Sequence, residues 1–177
     1  MKNGSTGSVT ESSSKILISA CLLGQPVRYD GQSKDIENTI LELWKSEGLL
    51  VPVCPEVSGG LPVPRPAGEI QGIADDVLTG RAQVTTVDNE DITRFYLRGA
   101  QHALSLCQQH RIRIAILKEN SPSCGSTNVS DGSFSKNLIP GEGVTARLLR
   151  QNGIRVFSEN EINQAKAYVD ACTEAGT

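Results

Sequence analysis

The sequence lacks a positive charge excess, an even number of cysteines and any long apolar run, and each lack closes off a class of protein. Net charge is −3 and the isoelectric point is near 5.4. No basic face is therefore available for an extended grip on nucleic acid, which takes rows of lysine and arginine on phosphates. A local basic site for one phosphate remains compatible with that charge. Five cysteines cannot all pair, which excludes a closed disulfide framework. No segment approaches the roughly 20 apolar residues of a membrane helix. MKNGSTGSVTESSSK (1–15) is polar and serine-rich, without the apolar centre of a secretory signal, and reads as a disordered extension. The expected compartment is a reducing cytoplasm, where a set of cysteines serves metals or catalysis more than crosslinks.

Residues 16–177 are enough for one domain with one core, and the composition is ordinary for a globular protein. KILISACL (15–22) and LLVPVC (49–54) read as strands, with Pro52 marking an edge or a bulge. AQVTTV (82–87), RIAILK (113–118) and IRVFS (154–158) are further strands, and DDVLTG (75–80) pairs with the first of these or turns. Helical spacing covers 36–47, where Gly48 is the stop, and 89–109. A loop fills 119–143, a short helix follows to Gly153, and Ser158 with Glu161 forms a capping-box pattern for a last helix to about 174. Strands alternating with helices predict an α/β fold: a Rossmann-like parallel sheet flanked by helices in a single domain. No G-x-G-x-x-G follows the first strand, so a dinucleotide site has little support.

The cysteines separate by position. Cys21 ends the first strand, Cys54 ends the second, and Cys124 lies six residues beyond the strand that ends at Lys118. The carboxyl ends of parallel strands share one edge, where ligands bind. Three thiols remote in sequence therefore converge, which is the geometry of a three-thiolate metal site. Cys107 and Cys172 instead continue apolar helical stripes and read as small buried hydrophobes. Three thiolates admit a mononuclear zinc with an open position, suited to hydrolysis, or an iron–sulfur cluster with one iron left for substrate. A redox or metal sensor would use the same three residues without chemistry.

Glu56, two residues after Cys54, reaches the same edge and is a candidate general acid or base. Ser123 precedes Cys124 and could orient substrate or water. Arg28, Lys34 and Arg65 are candidate anion ligands. His102 and His110 belong to the long helix and its end, away from every cysteine in the site.

ISACLLGQPVRYDG, VPVCPEVSGGLPVPRP, LKENSPSCGS and DGSFSKNLIPGEGVTARLL, in this order from about 16 to 158, resemble the DUF523 family, whose characterised members are thiouracil desulfidases. The resemblance implies a [4Fe–4S] cluster on three cysteines, here Cys21, Cys54 and Cys124, with one iron open to the sulfur of a thiolated uracil. It implies non-redox removal of that sulfur from 2-thiouracil or 4-thiouridine monophosphate, giving uracil-type product and sulfide. Glu56 and Ser123 match the family's catalytic glutamate and serine. The sequence departs at Ala67, in Pro-Arg-Pro-Ala-Gly-Glu (64–69), where the family often has a second proline. The expected partner is a small thiolated pyrimidine or nucleotide, with neither a membrane nor a long nucleic acid.

Overall fold

The apolar, β-branched run after Lys15 forms β1 (Ile16–Ser19), buried at every residue. The computed structural model describes residues 14–174, so the extension expected over 1–15 lies almost wholly outside the described residues. After β1 come α1 (Thr39–Ser46), β2 (Leu50–Val53) and the one-turn α2 (Pro55–Ser58). Then follow β3 (Gly68–Gln71), α3 (Ala74–Leu78), β4 (Gln83–Thr86) and the long α4 (Thr93–His110). The chain continues through β5 (Ile114–Leu117), β6 (Asn128–Ser130), β7 (Leu138–Pro140) and α5 (Val144–Gln151). It ends with β8 (Arg155–Ser158) and α6 (Ile162–Glu174).

Four strands form one parallel sheet in the order β2–β1–β5–β8. Side chains alternate across a strand, and here both faces are covered. Ile16, Ile18, Ile114 and Ile116 pack under Leu41 and Trp44 of α1 and Ile162 and Ala165 of α6. Leu17, Ala115 and Leu117 face Ala103 and Leu104 of α4 and Ala146 and Leu149 of α5. Each fully buried Leu or Ile contributes roughly 1.5–3 kcal/mol. The predicted α/β class and parallel sheet are present, and β2 is the edge strand that Pro52 anticipated. The Ser158–Glu161 capping box forms and leads into α6.

The structure differs from the sequence reading in three places. The stretch 75–80, read as a pairing strand or a turn, supplies most of the short α3 and the turn that follows it, and β4 pairs antiparallel with β3, outside the main sheet. The long loop at 119–143 contains the β6–β7 hairpin, whose strands have three residues each and whose second strand is exposed throughout, too short for a periodic signal. Cys172 is exposed, not buried: α6 keeps contact with the sheet through Ile162, Ala165 and Val169, and its final turn runs past the core. Cys107 is buried as expected, and burial pushes its thiol up to about 12.

One helix contact decides where the site's acid sits. A Cβ on Gly99 of α4 would lie 1.8 Å from the Pro55 carbonyl oxygen, and one on Gly59 would lie 1.9 Å from the Phe95 carbonyl oxygen. The backbones of α2 and α4 therefore touch, and no side chain fits between them. Gly99→Ala must push α2 outward, and overpacking of this kind costs about 1–3 kcal/mol. Urea denaturation should show that loss as a lower midpoint, and an unchanged midpoint would mean that α2 is not seated on α4.

Candidate active site

The three adjacent strands β2, β1 and β5 deliver Cys54, Cys21 and Cys124 to one edge of the sheet. Neighbouring strands lie about 4.8 Å apart, so three of them span roughly 10 Å. All three cysteines line a single cavity of about 510 Å³. Cys21 and Cys124 are buried and Cys54 is half-buried. Burial, then the neighbouring Cys54, pushes the Cys21 thiol up to about 11. Burial raises the Cys124 thiol further, against a hydrogen bond with Ser19 and with Cys54 and Cys21 adding to the rise. Burial also raises Cys54. The three sulfurs thus feel one another's charge, and a cation is what would stabilise them together as thiolates.

Glu56 stands on α2 just past Cys54 and lines the same cavity. Arg65 holds it: Nε donates to Glu56 Oε2 at 2.8 Å and Nη2 lies 2.7 Å from the same oxygen. The Arg65 side chain is 3% exposed. Its remaining donors go to the carbonyls of Pro62 and Val27, each at 3.1 Å, and its backbone N–H goes to Tyr29. Arg65, expected as an anion ligand, is therefore committed to Glu56 and to the loop around Val27. Tyr96, fully buried on α4, adds a hydrogen bond to Glu56; burial, then the Glu56 charge, holds its hydroxyl well above the usual range. Nothing in the sequence singled out Tyr96 except its place on the long helix.

The loop after β5 is folded around Glu119. Its Oε1 accepts from the backbone N–H groups of Asn120, Ser126, Thr127 and Asn128, and Oε2 accepts from the Ser126 hydroxyl. Burial raises this carboxyl, but the hydrogen bonds outweigh it and hold the group below the usual glutamate range. Ser121 Oγ then accepts from the N–H of Ser123 and of Cys124. Ser123 was a candidate to orient substrate or water. It is buried behind Cys124, its hydroxyl pairs with Thr145 at 3.1 Å, and it is not among the residues lining the cavity, whereas Ser121 is. A Cβ on Gly143 would strike the Ser123 carbonyl at 2.4 Å, which shows how closely α5 seats this loop.

Arg28 and Lys34, the other candidate anion ligands, line the cavity. Arg28 makes a long contact, 3.8 Å, to Asp30 and lies over the Tyr29 ring. Lys118 and Lys136 line it as well. Lys118 Nζ is held by Glu159 Oε1 at 2.6 Å and the Glu119 carbonyl at 2.9 Å. The last residue of a predicted strand gave no reason to expect a site cation there.

A family model described as 2-thiouracil desulfurase matches residues 16–161. The chain belongs to the 2-thiouracil desulfurase family. It is 45% identical over 149 residues to the uncharacterized protein YbbK of Bacillus subtilis (strain 168), covering 84% of this chain and 97% of that protein. A solved structure, the [4Fe-4S]-dependent thiouracil desulfidase TudS, superposes with a TM-score of 0.83 at 47% identity, covering 89% of this chain and 98% of that one.

The donor set is compatible with an iron–sulfur cluster: Cys21, Cys54 and Cys124 line one cavity, and a cluster attaches each cysteine to a different iron.

Glu119 gives a pH test of the loop. Its folded pKa lies below the ordinary value of about 4.3, so it contributes stability above that pH and loses it as pH falls through the folded value. Glu119→Gln should be less stable than wild type at pH 7, with the gap narrowing steadily below about pH 4. A gap independent of pH in urea titrations would show that the carboxylate charge does not hold the loop.

Proposed function

We propose that the protein is a [4Fe-4S]-dependent, non-redox desulfidase that converts thiolated uracils, 2-thiouracil or 4-thiouridine monophosphate, into uracil or uridine monophosphate and hydrogen sulfide. The observation that carries this is the meeting of Cys21, Cys54 and Cys124 around one cavity with an arginine-held glutamate in its wall. The three cysteines would hold the cluster and leave one iron without a protein ligand. When bound, the cluster would supply a soft Lewis acid for the thiocarbonyl sulfur.

The rest of the work falls to side chains. Glu56 takes a proton from water as the water oxygen bonds to the ring carbon that bears sulfur; as the C–S bond breaks and the new carbonyl forms, both water protons leave with the sulfur, one of them delivered by Glu56. Thiouracil and water give uracil and hydrogen sulfide, and no electron is gained or lost. Arg65 and Tyr96 fix the Glu56 carboxylate so that it need not reorganise during the reaction. Ser121 reaches the substrate or water from the cavity wall, and Ser123 steadies the Cys124 loop from behind. Arg28 and Lys34, at the open side, receive the phosphate of a nucleotide substrate. The reading takes 16–177 as one catalytic domain at work in the cytoplasm on a small molecule. Among the described residues no helix is long and apolar enough to cross a membrane.

Anaerobic reconstitution with iron and sulfide, followed by loss of thiocarbonyl absorbance on adding thiouracil or 4-thiouridine monophosphate, tests the reading directly. Cys54→Ser should lose both cluster and turnover. Glu56→Gln should keep its iron and sulfide content and lose about 10²–10⁴-fold in kcat. Near-normal turnover in that variant would remove Glu56 from the chemistry, and an intact wild-type cluster without turnover of any thiolated uracil would reject the activity.

A further inference from the structure

Glu69 and the segment SDGSFSK at 130–136 have no part in the chemistry above, yet the structure joins them at the cavity. Glu69 on β3 is buried, and its Oε2 accepts from the Phe134 backbone N–H at 3.0 Å. Two residues on, Gln71 Nε2 donates to the Gly132 carbonyl at 3.1 Å. Gly132 approaches so closely that a Cβ there would lie 2.9 Å from the Ile70 carbonyl oxygen. Strand β3 thus grips the tip of the β6–β7 hairpin at alternate residues.

The grip holds a costly conformation. Phe134 has φ of 58° and Lys136 has φ of 62°, both in the left-handed region. Bulky residues rarely adopt it, and they stay there only where the surroundings over-determine it. What the conformation achieves is a half-buried aromatic ring in the cavity wall. The other two aromatics of that wall are engaged: Tyr96 is fully buried with its hydroxyl on Glu56, and the Tyr29 ring lies under the Arg28 guanidinium at 5.9 Å. A thiolated uracil is a flat, uncharged ring, and most of the polar wall suits its edges rather than its faces.

We propose that Phe134 is the stacking residue that selects a planar pyrimidine, and that Glu69 is the positioning residue that holds it over the cavity. The proposal rests on the desulfidase reading for the nature of the ring. Stacking requires an aromatic partner on both sides, so it distinguishes uracil from 5,6-dihydrouracil, which carries the same polar edge on a puckered, non-aromatic ring.

Dissociation constants of uracil and 5,6-dihydrouracil for the cluster-loaded protein test this without relying on turnover. Wild type should prefer uracil. Phe134→Leu should weaken uracil about tenfold, leave dihydrouracil nearly unchanged and retain its iron content. Phe134→Tyr should restore the preference, and Glu69→Ala should reduce it as Phe134→Leu does. Equal weakening of both ligands in Phe134→Leu, or no weakening, would overturn the role of Phe134 while wild-type turnover of thiouracil still stood. A wild-type protein that turns over thiouracil but binds uracil no better than dihydrouracil would overturn this proposal alone, whereas the desulfidase reading falls only with the loss of turnover.

Discussion

The Arg65–Glu56 ion pair is the interaction on which the rest of the site depends. Arg65 is almost fully buried, so each of its donors must find an acceptor. They reach α2 through Glu56, the loop at Val27, and the turn at Pro62. The same Val27 carbonyl lies 3.7 Å from Cys54 Sγ. One guanidinium thus ties together the segment after β1, the cysteine after β2 and the glutamate that follows it. Removing one partner from such a pair strands the other and costs about 3–5 kcal/mol, far more than the pair contributes as a whole. The position is constrained for geometry more than for stability.

The location of the site was legible in the sequence because it follows from topology. Cys21, Cys54 and Cys124 each come just after an apolar, β-branched run, and parallel strands bring such positions to a common edge. Strand placement was enough to infer their meeting, and the match to the 2-thiouracil desulfurase family model covers those positions. Glu56 was carried along by its two-residue distance from Cys54. The main sheet was legible for the same reason: its strands are buried on both faces and read as continuous apolar runs.

The details that the sequence left open are those fixed by contacts across the fold. Ser123 and Ser121 are equivalent as sequence, and only the packing of α5 turns the first toward Thr145 and leaves the second on the cavity wall. Arg65 and Arg28 are both loop arginines near a cysteine, but burial commits one to a carboxylate and leaves the other facing the open side. Cys172 continued an apolar stripe that is real, but the stripe outruns the sheet it packs on. Strand β3 carries a glycine and a glutamate within four residues, and what stabilises it is pairing with β4 and the grip on the hairpin.

Three glutamates in one cavity wall show how environment separates the roles of one residue type. Glu119 accepts only from neutral donors within its own loop, and the number of these bonds keeps it ionised and immobile. Glu69 accepts a single backbone N–H from a distant hairpin and spends its charge on the conformation of that hairpin. Glu56 is held by a buried cation and a buried tyrosine, with both arginine contacts on the same oxygen. A carboxylate bound by many backbone N–H groups has nowhere to move a proton without unfolding its loop. One bound by side chains at the cavity wall keeps its place while its protonation changes, and that is the requirement for acid–base work beside a reacting ring.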